Sequence, residues 1–315
     1  MHRCFVLPLY GGDVKALLQS RGTIPLRLPT AGKACCTPPP ERTGFCAWTP
    51  HRAYGFKGGR HIVHTDLKVD NILFTTGATK EDIDKWVKWD PPRRNPPEMS
   101  SDGIVQSAVS QPMKLPSEEE AFKATYVLSD FGSGELVLHS YLLETYAHPA
   151  LPAQASKLHA NRTITTPQHR APEVLLGSEW DKPADIWTFG CLVYELVTSR
   201  ALFSYRPSNV YGFYETGNPL YQMVLEIGEL FRAAQLKTWP NAIDYFHLDN
   251  CDSVILSRYP ACLTWRLMLL RPLEIMSWND ILPISEFIRR CLRLNPDGRA
   301  TATDLLEDEW FAGVE

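Results

Sequence analysis

The alternation of apolar and polar positions divides the chain into short ordered stretches separated by two irregular ones. Cys4 to Tyr10 reads as a short buried strand, broken at Gly11-Gly12, with Asp13 placed to cap a helix from Val14 to Gln19. From Leu28 to Gly59 every periodic signal is lost. Pro29, Pro38, Pro39, Pro40 and Pro50 alternate with Gly32, Gly44, Gly55, Gly58 and Gly59, and proline removes a donor and clashes inside a helix, so no long helix fits. His61 to Phe74 recovers a dense pattern in which apolar residues bracket a polar loop. Asp90 to Glu120, rich in proline and ending in an acidic run, is expected to be a solvated, disordered insertion. Tyr126 to Leu128 predicts a strand running into Ser129-Asp130-Phe131-Gly132. Ala184 to Thr198 carries Ile186, Phe189, Leu192, Val193, Leu196 and Val197 at helical spacing, with more apolar residues on its other faces, and predicts a buried central helix. A second amphipathic helix is expected from Leu282 to Leu294, stopped at Asn295-Pro296-Asp297-Gly298. Thr301-x-x-Asp304 then offers a capping box for a last helix through Trp310.

Composition narrows the class of partner. With 32 Lys+Arg against 36 Asp+Glu the net charge is −4, so no broad cationic field attracts nucleic acid or anionic lipid. A protein or small-molecule partner is the default, with no direct nucleic acid and no membrane. No stretch approaches the ~20 apolar residues of a membrane span, and the expected location is intracellular, in the cytoplasm and/or nucleus. The 8 cysteines have no regular spacing and no Cys-x-x-Cys pair, so they read as reduced, buried small hydrophobes, and the neighbours Cys35, Cys36 and Cys46 as chance.

The candidate chemistry lies in three motifs. His64-Thr65-Asp66-Leu67-Lys68-Val69-Asp70-Asn71 is followed by Asp130-Phe131-Gly132 and then Ala171-Pro172-Glu173. Singly each has a bland reading: Asp-Phe-Gly is an ordinary turn, and an Asp near a Lys is usually a solvated pair. In this order, followed by a helix that opens Asp185-Ile186-Trp187-Thr188-Phe189-Gly190, they resemble the signature set of eukaryotic-type Ser/Thr protein kinases. The resemblance implies an α+β, protein-kinase-like fold, mainly its helical C-terminal lobe with a remnant hinge strand. It also implies ATP and Mg²⁺ as cofactors and a protein as substrate. Asp66 would orient the acceptor hydroxyl and take its proton, and Lys68 would reach the transferring phosphate. Asn71 and Asp130 would supply hard oxygen ligands to Mg²⁺. Leu73 would sit beneath the adenine, Leu7, Pro8 and Leu9 would offer it backbone groups, and Asp13 would lie near the ribose. Glu173 and Arg299 resemble the family's buried ion pair, and Asp185 the residue that braces the catalytic loop from below. Thr166, read otherwise as a turn residue before Pro167, resembles the threonine that bonds the catalytic loop in Ser/Thr-specific members.

Within the family, Thr65 in place of the usual Arg, a long insert before Asp130 and Thr166-Pro-Gln-His-Arg170 resemble the SR-protein kinase group, particularly fungal relatives. That group's substrates are Arg/Ser-rich proteins. Without the Arg, phosphorylation of the activation loop loses its usual partner, and an activity state not switched that way is expected. Val69, Asp70 and Ser133-Gly134-Glu135 depart from the group's pattern. The chain is expected to divide into a last small-lobe strand, hinge and first helix (1–27), an irregular Pro/Cys/Gly-rich segment (28–59), a catalytic-loop region (60–89), a disordered insert (90–120) and the remaining helical lobe (121–315). Residues 31–59 read as out-of-frame or intronic translation. No G-x-G-x-x-G loop, strand Lys or partner Glu precedes His64, and Lys15 reads as a surface residue. The polypeptide as written is therefore expected to be nearly inactive unless another chain supplies that lobe. A catalytically dead binding module and a truncated gene product stand as the alternatives; a small-molecule kinase is disfavoured by Ala171-Pro172-Glu173 and the Asp185 helix.

Overall fold

The computed structural model describes residues 9–20, 61–101, 103–111, 113–137, 164–203, 218–246 and 276–311. Leu7 and the whole of 28–59 lie outside the described residues. Strand β1 is Tyr10–Asp13 and leads directly into helix α1, Val14–Ser20. Gly11 and Gly12 therefore lie inside the first described strand, where they had been expected to end one. The reason is steric: a Cβ on Gly11 would lie 2.5 Å from Phe74 Cε2, so only a glycine lets this strand approach its neighbour. Asp13 caps α1 as anticipated, its Oδ1 accepting the Ala16 N–H at 2.8 Å.

After β2, His61–Val63, the chain makes a 3₁₀ turn at Val69–Asn71 and enters β3, Ile72–Thr75. Helix α2, Lys80–Trp89, opens on a capping box between Thr79 and Asp82. The expected disorder across 90–120 is corrected by β4, Glu98–Ser100, β5, Gly103–Val105, and α3, Glu118–Lys123. Positive φ at Gly103 starts the return strand. The acidic run Glu118 to Glu120 forms a first helical turn: the Ser117 hydroxyl accepts the Glu120 N–H, the Glu120 carboxylate accepts the Ser117 N–H, and the negative charges suit a helix N-terminus. Strand β6, Tyr126–Leu128, ends just before Asp130, and β7 is Glu135–Val137.

Among the described residues beyond β7 the α-helices are α4, Pro172–Leu175; α5, Pro183–Thr198; α6, Asn218–Ile227; α7, Ala233–Leu236; α8, Trp278–Cys291; and α9, Ala302–Leu306. The helix expected from Leu282 begins earlier, because Ser277 and Asp280 form a capping box and Pro283 is accommodated inside it. Thr301 and Asp304 form their predicted box, but α9 stops at Leu306, and Glu309–Phe311 follows as a separate 3₁₀ turn.

Three antiparallel pairings position the site. β1, β3 and β6 form one sheet in the order β1-β3-β6, and β2 pairs with β7. The core lies around α5, where nearly every residue is buried. Trp187 is wholly buried and stacks on Phe203 at 5.7 Å, while Phe287 of α8 meets Phe189 at 6.1 Å and Trp310 at 4.9 Å. Gly190 permits the closest approach of α5 to α8, since a Cβ there would lie 2.7 Å from that of Cys291. Gly190→Ala is expected to destabilise the fold by about 1–3 kcal/mol through overpacking, read as a lower urea midpoint at unchanged slope.

Candidate active site

Two of the pairings bring the separated motifs together. Ile72 pairs with Leu128, and Asn71, one residue before, accepts at its carbonyl from both the N–H (2.8 Å) and the hydroxyl (2.9 Å) of Ser129. Asn71 and Asp130 are thus held at the same end of one sheet. The second pairing, Val63 with Glu135, sets the start of the His64 loop beside the segment that follows Asp130.

The loop itself hangs from helix α5. Asp185, in the first turn of that helix and 7% exposed, accepts the His64 N–H at 2.6 Å through Oδ2 and the Thr65 N–H at 3.0 Å through Oδ1. Burial pushes the Asp185 carboxyl above the ordinary aspartate range, opposed by the two N–H groups and by His64. The buried His64 ring accepts the Asp66 N–H at Nδ1 (3.2 Å). Its hydrogen is therefore on Nε2, which donates to the Ser129 carbonyl at 3.0 Å. The same ring packs 4.7 Å from Phe131.

Thr65 adopts φ 67° and Asp130 φ 62°, left-handed conformations that a non-glycine side chain takes only when its surroundings demand it. For Thr65 the demand is visible: its N–H is tied to Asp185 and its hydroxyl donates to the Ser133 carbonyl at 2.7 Å. The hydroxyl joins the loop directly to the chain beyond Asp-Phe-Gly.

Asp66 and Lys68 are partly exposed, at 21% and 26%, and Lys68 Nζ lies 2.6 Å from Asp66 Oδ2. Asn71 Nδ2 donates to the Asp66 carbonyl at 2.9 Å and to its Oδ2 at 3.2 Å. The structure thus brings Asp66, Lys68 and Asn71 into one cluster, with Asp130 at the adjoining sheet end. Among the anticipated nucleotide contacts, Asp13 and half-buried Leu73 face one another across β1 and β3, and Leu9 is 48% exposed. Asp13 Oδ1 is engaged in capping α1.

Behind the cluster Glu173 and Arg299 form the anticipated buried pair, with oxygen–nitrogen distances of 2.6 and 2.7 Å and side-chain exposures of 2% and 1%. Arg299 also donates to the carbonyls of Pro183 and Arg293 and lies over the Trp187 ring. Three contacts were not anticipated. Lys15, read as a surface residue, bonds Asp70 at 2.7 Å, and this carboxylate holds its ammonium above the ordinary lysine value. His169 Nε2 lies 3.2 Å from Glu195 Oε2. Thr166, expected to bond the catalytic loop, is instead seen with its hydroxyl 3.2 Å from His169 Nδ1.

A protein kinase domain family model matches residues 123–311, and the chain belongs to that family. Its relatives are of the SR-protein kinase and CLK type. It is 22% identical over 313 residues to the dual specificity protein kinase lkh1 of Schizosaccharomyces pombe, covering 98% of this chain and 36% of that protein. To the human dual specificity protein kinase CLK1 it is 22% identical over 98% of this chain and 50% of that one, and to the serine/threonine-protein kinase SRPK of Physarum polycephalum 25% over 80% and 56%. The chain spans between about a third and somewhat over half the length of these relatives.

Thr65→Val keeps the shape and the backbone strain but deletes the bond to Ser133, and should cost about 1–2 kcal/mol in chemical denaturation. Thr65→Gly loses the same bond but relieves the strain at positive φ, and should cost less than Val.

Proposed function

We propose that the chain carries the phosphoryl-transfer machinery of an ATP- and Mg²⁺-dependent Ser/Thr protein kinase. The observation that carries this reading is the Asp66 carboxylate, gripped on Oδ2 by Lys68 and Asn71. Its Oδ1 is the oxygen that would face an acceptor hydroxyl and take its proton as the new oxygen–phosphorus bond forms and the bond to the nucleotide's leaving oxygen breaks. Lys68, already beside Asp66, would neutralise charge on the transferring group. Asn71 has its amide nitrogen committed to Asp66, which leaves the amide oxygen as its metal-binding atom. With the Asp130 carboxylate it makes a hard-oxygen donor pair of the kind Mg²⁺ accepts alongside phosphate and water. Bound MgATP would supply the transferable γ-phosphoryl group. Leu73, Leu9 and the backbone near Leu7 would contact the adenine, and Asp13 the ribose.

Similarity to the Physarum kinase favours a Ser/Thr acceptor and, through the SR-protein kinase resemblance, Arg/Ser-rich protein substrates. The dual specificity names of other relatives make tyrosine the acceptor to test against. A cytoplasmic or nuclear site of action goes with such substrates. Among the described residues no helix is long and apolar enough to cross a membrane.

Transfer from labelled ATP to an Arg/Ser-repeat peptide, with a tyrosine peptide in parallel, tests the proposal. Label should enter the serine peptide only slowly, as expected without a G-x-G-x-x-G loop ahead of His64, and depend on Mg²⁺, and Asp66→Asn should lower that slow rate by about 10²-fold or more. Asp130→Asn should abolish the Mg²⁺-dependent thermal shift on adding ATP. A wild-type chain with neither transfer nor nucleotide-induced shift would leave a binding module without phosphoryl-transfer chemistry.

A further inference from the structure

The two proposed metal ligands are held very differently. Asn71 is buried, and its amide nitrogen is committed to Asp66. Asp130 is exposed, and among the described residues its carboxylate makes no hydrogen bond or ion pair. The aim of that carboxylate is therefore set by the backbone that carries it. This backbone is strained, with φ 62° at Asp130, and Oδ1 lies across Gly132, where a Cβ would stand 3.2 Å from it. Where the carboxylate points thus depends on where the chain runs through Gly132 and Ser133.

The turn is gripped on both sides of Asp130. Before it, the Ser129 N–H and hydroxyl donate to the Asn71 carbonyl at 2.8 and 2.9 Å, and the Ser129 carbonyl accepts from His64 Nε2 at 3.0 Å. After it, the Ser133 carbonyl accepts the Thr65 hydroxyl at 2.7 Å, two residues ahead of the Glu135–Val63 pairing. Inside the turn the Gly134 N–H donates to the Phe131 carbonyl at 3.0 Å. Thr65 is 2% exposed and its own N–H is fixed on Asp185, so its hydroxyl is a rigid donor.

We infer that Thr65 is a positioning residue for the metal. By holding Ser133 it keeps the Asp130 turn in place before any ion arrives, so less freedom is lost when Mg²⁺ joins Asp130 to Asn71. The identity of the ion rests on the phosphoryl-transfer reading; the dependence of the turn on Thr65 does not. Thr65 acts through Asp130, so its loss should weaken the Mg²⁺-dependent part of ATP binding and spare whatever binding persists in excess chelator. Thr65→Ser keeps the hydroxyl and should preserve both the turn and the metal response. Thr65→Val deletes the hydroxyl, and Thr65→Gly deletes it with the strain relieved, which supplies a folded variant if valine is not tolerated.

Two measurements on the full chain test this. In the metal-free protein, Thr65→Val or Thr65→Gly should speed hydrogen exchange at the Gly134 amide, while the Ser129 amide, held by Asn71, and amides in the middle of α5 stay protected. In thermal shift with ATP, the Mg²⁺ concentration giving half of the Mg²⁺-dependent shift should rise by about three- to fivefold in the same variants, the scale of one hydrogen bond, with Thr65→Ser close to wild type. Unchanged Gly134 exchange, an unchanged Mg²⁺ requirement, or a Thr65→Ser chain that behaves like Thr65→Val would each overturn the inference while leaving the phosphoryl-transfer reading intact. A wild-type chain with no Mg²⁺-dependent shift would overturn both.

Discussion

A buried carboxylate with two backbone hydrogen bonds organises this molecule. Asp185 leaves water for the interior, a costly transfer for an anion, and is compensated by the N–H groups of His64 and Thr65 and by its place in the first turn of α5. Removing either side would leave buried polar groups unmatched, so helix and loop hold each other in one register. The bonds continue outward from the loop: Thr65 to Ser133, and His64 to Ser129. The catalytic loop and the Asp-Phe-Gly turn therefore share their support. The helix is in turn fixed by Arg299, which joins Glu173, the Pro183 carbonyl and the face of Trp187 in one buried cluster. With so many partners the pair is satisfied at both ends, the condition under which a buried ion pair is tolerated.

This arrangement explains where backbone strain is stored. The non-glycine residues described with positive φ are Thr65, Asp130, Thr165 and Ser199, and the first three lie in the loop, the Asp-Phe-Gly turn and the segment before Ala171. Strain of this kind persists only where the surroundings over-determine it. At Thr65 these are the bonds to Asp185 and Ser133; at Thr165, the carbonyl accepts from Arg170, which also holds Ile164. Ser199 ends α5, with its N–H on the Glu195 carbonyl, so the residue that caps the helix follows closely on the one that receives His169.

Much of the frame was legible because its signals are local. The apolar density of Ala184 to Thr198 announced α5, and Thr301-x-x-Asp304 announced a capping box. Ser117-x-x-Glu120 and Ser277-x-x-Asp280 carry the same signature, and reading them would have found α3 and the true start of α8. The acidic and proline content around Ser117 pointed instead to disorder. Asp66, Lys68 and Asn71 were legible as a group because they share one loop. Lys15 with Asp70 and His169 with Glu195 were not, since each pair lies on elements brought together only by tertiary packing, and an exposed lysine in a short helix has no local mark of its partner. Sequence resemblance directed Thr166 toward the catalytic loop; the histidine three residues later captures its hydroxyl. Leu7 and the segment 28–59 lie outside the described residues.

Native-state hydrogen exchange at the His64 and Thr65 amides, compared between wild type and Asp185→Asn, tests the anchoring role most directly. An Asn keeps the size of the side chain but offers one acceptor oxygen in place of two. Strong protection of both amides in wild type is predicted. In the variant at least one should exchange much faster, while amides in the middle of α5 keep their protection. Equal protection of both loop amides in the two proteins would contradict the account, because the loop would then be held by something other than the Asp185 carboxylate.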